Sequence, residues 1–303
     1  MEKEARWSSA RAGTGSVKTG LECLPCFFGQ IARTLKHAGV NGDHGRAIIR
    51  KAERIIENAS LDEVPARTTT IIHRILREAT GVDPYKQVKD AYNRIALDML
   101  PALKRRAESF DDRLEFGVRA AIAGNVIDFG IYDSIDLDRA VEESFTLPLN
   151  GGMYPVFAQA VRTSGSILYL CDNAGEIVFD RLLIDILRAM GKKVTAAVKG
   201  SPVINDATLD DALAAGLHES ATVIDNGNDG IGTLLEACSP RFLEHYRSAD
   251  LIISKGQANY ETLVQARDER IFFLFKVKCP VVAAYMNRQN GEIVLSRGSV
   301  VTA

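Results

Sequence analysis

Three short segments of this chain carry side chains whose types suit metal or phosphate chemistry. The first is Leu170-Cys171-Asp172-Asn173-Ala174-Gly175-Glu176, where an acid and an amide follow a short apolar run. A carboxylate beside an amide carbonyl is oxygen-only ligation, which suits a hard cation such as Mg²⁺ or Mn²⁺. The plainer alternative is an N-cap, with Asp172 or Asn173 accepting from the free N–H groups of the next helix. The second segment, Val198 to Thr208, sets Asp206 about one βαβ unit further on. Asp206 with Asp210 would equally make an acidic first turn. The third, Lys255-Gly256-Gln257-Ala258-Asn259, places an ammonium and free N–H groups where an anion would sit. Its order of Gly and Lys is not that of a P-loop, and a solvated turn lysine is the alternative. Asp225-Asn226-Gly227 offers another acid and amide but reads as a turn. Together, acid-amide, acid and lysine describe a place where a divalent cation and an ammonium share the charge of a phosphorylated ligand.

These segments need a scaffold that brings them to one rim. From residue 19 to 123 apolar residues recur at helical spacing, as in Ile48, Ile49, Ala52, Ile55 and Ile56, with a stop at Asn58. Ile71 to Leu76 repeats the pattern before Gly81, and Tyr92 to Leu100 repeats it up to Pro101, where that helix is expected to end. After Ser164-Gly165 short apolar runs alternate with helical stripes. Strands are expected at Ile167–Leu170, Val194–Val198, Ala221–Ile224, Leu251–Ser254, Ile271–Phe275 and Pro280–Tyr285. Helices are expected at Ile177–Met190, Leu209–Ala215, Ile231–Ala237 and Tyr260–Gln265. Strands that are continuously apolar and alternate with helices imply a mostly parallel sheet covered on both faces. The fold class is therefore α/β, a three-layer α/β/α sheet with an N-terminal helical domain. The expected division is a flexible tail over 1–18, the helical domain over 19–123 and an α/β metal-binding catalytic domain over 124–303. In such sheets ligands bind outside the carboxyl ends of the strands, where all three segments fall.

The motifs also resemble, in order and spacing, those of the metal-dependent damage-control phosphatase family, long catalogued as domain of unknown function eighty-nine. The resemblance lies in Asp-Asn-x-Gly-Glu at Asp172–Glu176, Asn-Asp-Ala-Thr at Asn205–Thr208 and Lys-Gly-x-x-Asn at Lys255–Asn259. Upstream, Gly124-Asn125-Val126-Ile127-Asp128 looks like the family's Gly-Asn-x-x-Asp segment. Cys23-Leu24-Pro25-Cys26 is similar to the start of its cysteine-bearing prokaryotic branch. The resemblance runs from about Leu21 to the C-terminus. It implies a phosphatase of small phosphorylated metabolites, such as sugar phosphates, using Mn²⁺, Co²⁺, Ni²⁺ or Mg²⁺. It also implies that Asp172, Asn173 and Asp206 ligate the metal and that Lys255 binds the substrate phosphate. Asn125, Asp128, Glu176 and Asn259 would line the pocket. A carboxyl methyltransferase, once suggested for a eukaryotic branch, is the runner-up, but Ala174-Gly175 is a poor dinucleotide fingerprint.

Composition narrows the alternatives. With 37 Lys and Arg against 39 Asp and Glu, the net charge of −2 leaves no basic surplus for nucleic acid. Trp7 lies in the tail and the other aromatics are scattered, so no base-stacking platform is expected. The apolar runs are far short of the roughly 20 residues of a membrane span. Five cysteines, an odd number, suggest a reducing cytoplasm. Cys23 and Cys26 supply two thiolates, and Cys279 would complete a three-thiolate metal set if the N-terminal segment folds back. A non-catalytic protein built on those cysteines is a further alternative. The five histidines form no ligand-spaced pair, and the sequence carries no signal of oligomeric state.

Overall fold

The computed structural model describes residues 16–126, 137–146, 149 and 152–298. Three helices come first: α1 (Cys23–His37), α2 (Gly42–Glu57) and α3 (Pro65–Thr80). Their apolar stripes converge on a shared core of Phe27, Ile31 and Leu35 with Ile48, Ala52 and Ile72. Asn58 and Gly81 stop α2 and α3 as the sequence implies, Gly81 at a φ of 69°. Helices α4 (Lys86–Glu108), α5 (Arg113–Val126), α6 (Leu137–Thr146) and α7 (Met153–Thr163) follow. Pro101 does not end its helix but lies inside α4. It is exposed there, so water can take the carbonyl that its missing N–H frees. Residues 1–15 of the expected tail lie outside the described residues, whereas Val17 is fully buried and Lys18 pairs with Asp62.

The remaining elements are β1 (Ser166–Leu170), α8 (Glu176–Ala189), β2 (Lys193–Val198), α9 (Leu209–Ala214), β3 (Thr222–Asp225) and α10 (Pro240–Ser248). Then come β4 (Leu251–Lys255), α11 (Gln257–Leu263), β5 (Ile271–Lys276), α12 (Pro280–Met286) and β6 (Ile293–Arg297). The strands form one sheet in the order β3-β2-β1-β4-β5-β6, parallel except for β6. Alternate residues pack to opposite faces. Ile167, Tyr169, Ile253 and Phe272 join a core with residues of α4, α5, α7 and α8. Leu168, Leu170, Ile252 and Phe273 join another with Phe242, Tyr260 and Val282 of α10, α11 and α12. This is the expected three-layer α/β/α arrangement, the sheet buried on both faces.

Two elements differ from expectation. Pro280–Tyr285 is a helix, because Pro280 occupies its first turn and the Cys279 Sγ accepts from the Val282 N–H at 3.5 Å. The last strand is β6, an antiparallel edge. Ile231–Ala237 is irregular apart from a single 3-10 turn at Leu235–Ala237. Gly232 has a φ of 71°, outside the right-handed helical region, and a Cβ there would lie 2.3 Å from the Ala258 carbonyl, so the turn interrupts any regular helix and needs glycine. Helix α10 went unread although Ser239-Pro240 supplies both an N-cap and a first-turn proline.

Candidate active site

The strand order reverses at β1, which pairs with β2 on one side and β4 on the other. A crevice opens at the carboxyl ends of strands at such a point. Asp172 leaves β1 there, and Gly256 leaves β4 beside it. Gly256 has a φ of 82°, and a Cβ at this position would lie 2.1 Å from the Asp172 Oδ2. The sequence needs glycine here because the backbone of one loop rests on the carboxylate of the other.

Backbone hydrogen bonds zip the Asp172 and Asp206 loops together. The Ala174 N–H donates to the Asn205 carbonyl at 2.9 Å, and the Ala207 N–H donates to the Asp172 carbonyl at 2.8 Å. Asn173 and Asp206 thereby form an isolated antiparallel bridge. Helix α4 braces both loops from behind. Its Asn93 accepts from the Gly175 N–H at 2.7 Å, and its buried Lys89 pairs with Asp211 at the start of α9. Thr208 and Asp211 form a capping box that fixes the end of the Asp206 loop.

Asp172, Asn173 and Asp206 are all buried and line one cavity of about 470 Å³ between the sheet rim and helices α1 and α3. The Asp172 Oδ2 accepts from the Nδ2 groups of Asn125 and Asn173, each at 2.9 Å. Both amides also donate to the Glu176 Oε2. The Asp206 Oδ2 accepts no hydrogen bond. Its neighbour, the Lys199 Nζ at 3.4 Å, donates instead to the carbonyls of Gly230 and Gly232. Burial, then the charges of Glu176 and Asp206, pushes the Asp172 carboxyl well above the usual carboxylate range. Burial likewise raises Asp206, and it raises Asp180 to about 7.

The lysine expected at the substrate phosphate sits elsewhere. Lys255 is fully buried, and its Nζ donates to Glu176 Oε1 and Asp180 Oδ1, both at 2.6 Å, and to the Ala121 carbonyl at 2.9 Å. None of Asn125, Glu176, Lys255 and Asn259, all expected to line the pocket, is among the residues around the cavity. Asn259 holds the ends of β1 and β4 by donating to the carbonyls of Cys171 and Lys255. Asp128 lies outside the described residues. Cys23, Cys26 and Cys279 do come to the same cavity, but as free thiols. Among the described residues no three His, Cys, Asp or Glu side chains stand in a metal-holding group. The three-thiolate site is therefore not formed here, and burial raises the pKa of both Cys23 and Cys279.

Asp180 and Lys199 belong to this charge cluster but were missed in the sequence. Asp180 had a signal, an acid one turn after Glu176 on the buried stripe of α8. Lys199 had none beyond its place at the end of β2. Four buried carboxylates (Asp172, Glu176, Asp180 and Asp206) face two buried lysines, Lys199 and Lys255. A divalent cation held among them would offset the burial and crowding that raise Asp172 and Asp206. The donor set that lines the cavity, two carboxylates and one amide with an Asp206 oxygen that accepts no hydrogen bond, fits a hard ion that keeps water among its ligands.

The chain is similar to known proteins over nearly its whole length. It is 37% identical over 290 residues to an uncharacterised protein of Methanocaldococcus jannaschii, covering 92% of this chain and 95% of that one. It is 35% identical to a damage-control phosphatase of Pyrococcus horikoshii, covering 93% and 98%. A damage-control phosphatase of Archaeoglobus fulgidus is 32% identical, covering 90% and 96%. The crystal structure of a DUF89 family protein from Pyrococcus horikoshii superposes with a TM-score of 0.85 at 35% identity, covering 93% of this chain and 99% of that one. Residues 19–294 match the family model described as the damage-control phosphatase ARMT1-like domain, a span that includes every loop of the rim described above. This protein thus belongs to the ARMT1-like, or DUF89, family of damage-control phosphatases.

Proposed function

We propose that the protein is a metal-dependent phosphomonoester hydrolase acting on small phosphorylated metabolites. Asp172, Asn173 and Asp206 would hold a divalent ion, one of Mn²⁺, Co²⁺, Ni²⁺ and Mg²⁺. The observation that carries this reading is the buried Asp206 Oδ2, which accepts no hydrogen bond and has the Lys199 Nζ only at 3.4 Å, beside Asp172 in a cluster of four buried carboxylates and two buried lysines. When bound, such an ion polarises the phosphoryl group and offsets charge developing on it.

The chain's own residues supply positioning. Asn125 and Asn173 fix the Asp172 carboxylate through their Nδ2 groups, and the backbone of Gly256 limits its movement. Lys255 acts from behind the cavity. It anchors Glu176 and Asp180, so that Glu176 in turn orients both amides. Although burial pulls the Lys255 ammonium down, Asp180 and Glu176 hold it charged, above the ordinary lysine value. The cation nearest the substrate would instead be Lys278, which lines the cavity and whose charge acts on Asp172. Lys278 is set by its N–H, which donates to the Gln257 Oε1 at 2.8 Å.

No helix among the described residues is long and apolar enough to cross a membrane. The cytoplasmic setting belongs to the proposal, and the five free thiols are compatible with it. The test is hydrolysis of p-nitrophenyl phosphate by metal-stripped protein with each ion restored, beside Asp172→Ala and Asp206→Ala. Activity that needs metal and is lost in both variants is expected. Equal activity with and without metal, or in either variant, would overturn the assignment.

A further inference from the structure

The cavity is larger than a phosphoryl group requires, and its far wall carries a charge that phosphate hydrolysis does not use. Helix α1 presents Gln30 and Arg33 to the same cavity that Asp172, Asn173 and Asp206 line. The two residues lie three apart and share a helix face. Among the described residues the half-buried Arg33 guanidinium forms no hydrogen bond and no ion pair. Gly29 leaves room for it to lie along the helix, since a Cβ at Gly29 would stand only 3.2 Å from its Nη1. This direction, back towards the N-terminus of α1, is the usual one for a long helical side chain.

The surroundings do not neutralise this cation. Burial, then Arg33 and Arg77, pushes the His73 imidazole down to about 3, so His73 stays neutral, and its Nε2 donates to the Gln30 Oε1 at 3.0 Å without competing for an anion. Glu261 lines the cavity too, but burial raises it to about 7, and its Oε1 accepts from the Gln257 Nε2 at 2.8 Å. Glu22 is exposed, and among the described residues it makes no ion pair with Arg33. A guanidinium without a partner, in a cavity whose volume falls in the range of small-molecule sites, suits an oxyanion that its fork can pair.

We propose that the preferred substrates carry a second anionic group, a carboxylate or a second phosphate, which Arg33 engages while the phosphoryl group lies at the Asp172–Asp206 rim. The proposal rests on the phosphatase reading for the position of the phosphoryl group. Arg33 and Gln30 then select the leaving group, and plain monoesters are poor substrates.

The test uses non-hydrolysable probes on the Mn²⁺-loaded full-length protein. A series of ω-carboxyalkylphosphonates of increasing length is titrated by calorimetry, each beside the alkylphosphonate of the same length. At least one carboxylated member is expected to bind roughly tenfold or more tightly than its partner, the return of one charge-assisted pair. Arg33→Met should bring that ratio to about one, and Arg33→Lys should restore part of it, since lysine offers charge without the fork. Equal binding of all pairs by the wild type, or a ratio that survives Arg33→Met, would overturn the proposal. Because binding is read without turnover, a protein that hydrolyses no ester would refute the phosphatase reading without deciding the Arg33 preference.

Discussion

Gly256→Ala is the smallest change that probes the geometry of the rim. The residue has φ 82° and ψ 154°, a region that alanine avoids. Holding alanine there costs about 1–3 kcal/mol. The new methyl would also lie 2.1 Å from the Asp172 Oδ2 and 2.2 Å from its Cγ. Forcing a group into so tight a space costs about 1–3 kcal/mol more. If the carboxylate stays in place, the sum of about 2–6 kcal/mol lowers the melting temperature by roughly 4–12 °C at about 2 °C per kcal/mol. If Asp172 swings aside instead, the stability loss shrinks towards the backbone cost while divalent-metal affinity and phosphatase activity fall. Calorimetric melting and Mn²⁺ titration of the same sample separate the two cases. Wild-type melting together with wild-type metal affinity would refute the close approach of the two loops.

Lys255→Met removes the cation shared by Glu176 and Asp180 and leaves two buried acids. A loss of about 3–5 kcal/mol in urea denaturation is expected, and a loss below about 1 kcal/mol would show that the lysine is not holding them. His73 predicts a pH effect with a defined sign. Its folded pKa of about 3 lies below the ordinary histidine value, so the unfolded chain binds the proton more readily. Its contribution is intact above about pH 6.5 and is lost as pH falls towards 3, at up to roughly 1.4 kcal/mol per unit. His73→Gln should flatten that part of the stability profile, and an unchanged slope would count against a buried neutral imidazole. Cys23→Ser and Cys279→Ser should each keep the metal-induced rise in melting temperature, because the three thiols form no metal group; its loss in either variant would restore the thiolate site.

The carboxyl ends of the strands were legible because short apolar runs alternate with helical stripes after Ser164-Gly165, which places those runs in a parallel sheet. Asp172, Asn173 and Asp206 could be placed on one rim for that reason. What the sequence did not contain was depth. Lys255 looks like a solvent-facing turn lysine, yet it points inward because Glu176 and Asp180, one turn apart on α8, present their carboxylates to the end of β4. Pro280–Tyr285 was misread because six apolar residues carry no period that separates a strand from a buried helix; the deciding signal was the proline at the first turn. Arg33 sits on a helix that reads as ordinary amphipathic packing, and only the fold brings it to the cavity.

The most direct test is a calorimetric titration of Mn²⁺ into metal-free protein, with Asp206→Asn beside it. The account predicts one site in the wild type, with melting stabilised by about 2.7 kcal/mol at a hundredfold excess over the dissociation constant. In Asp206→Asn the site should vanish, while the metal-free fold holds or gains stability because one of four crowded carboxylates is gone. A wild type that takes up no divalent ion, or a variant that binds it equally well, would contradict the claim that Asp172, Asn173 and Asp206 form the metal centre.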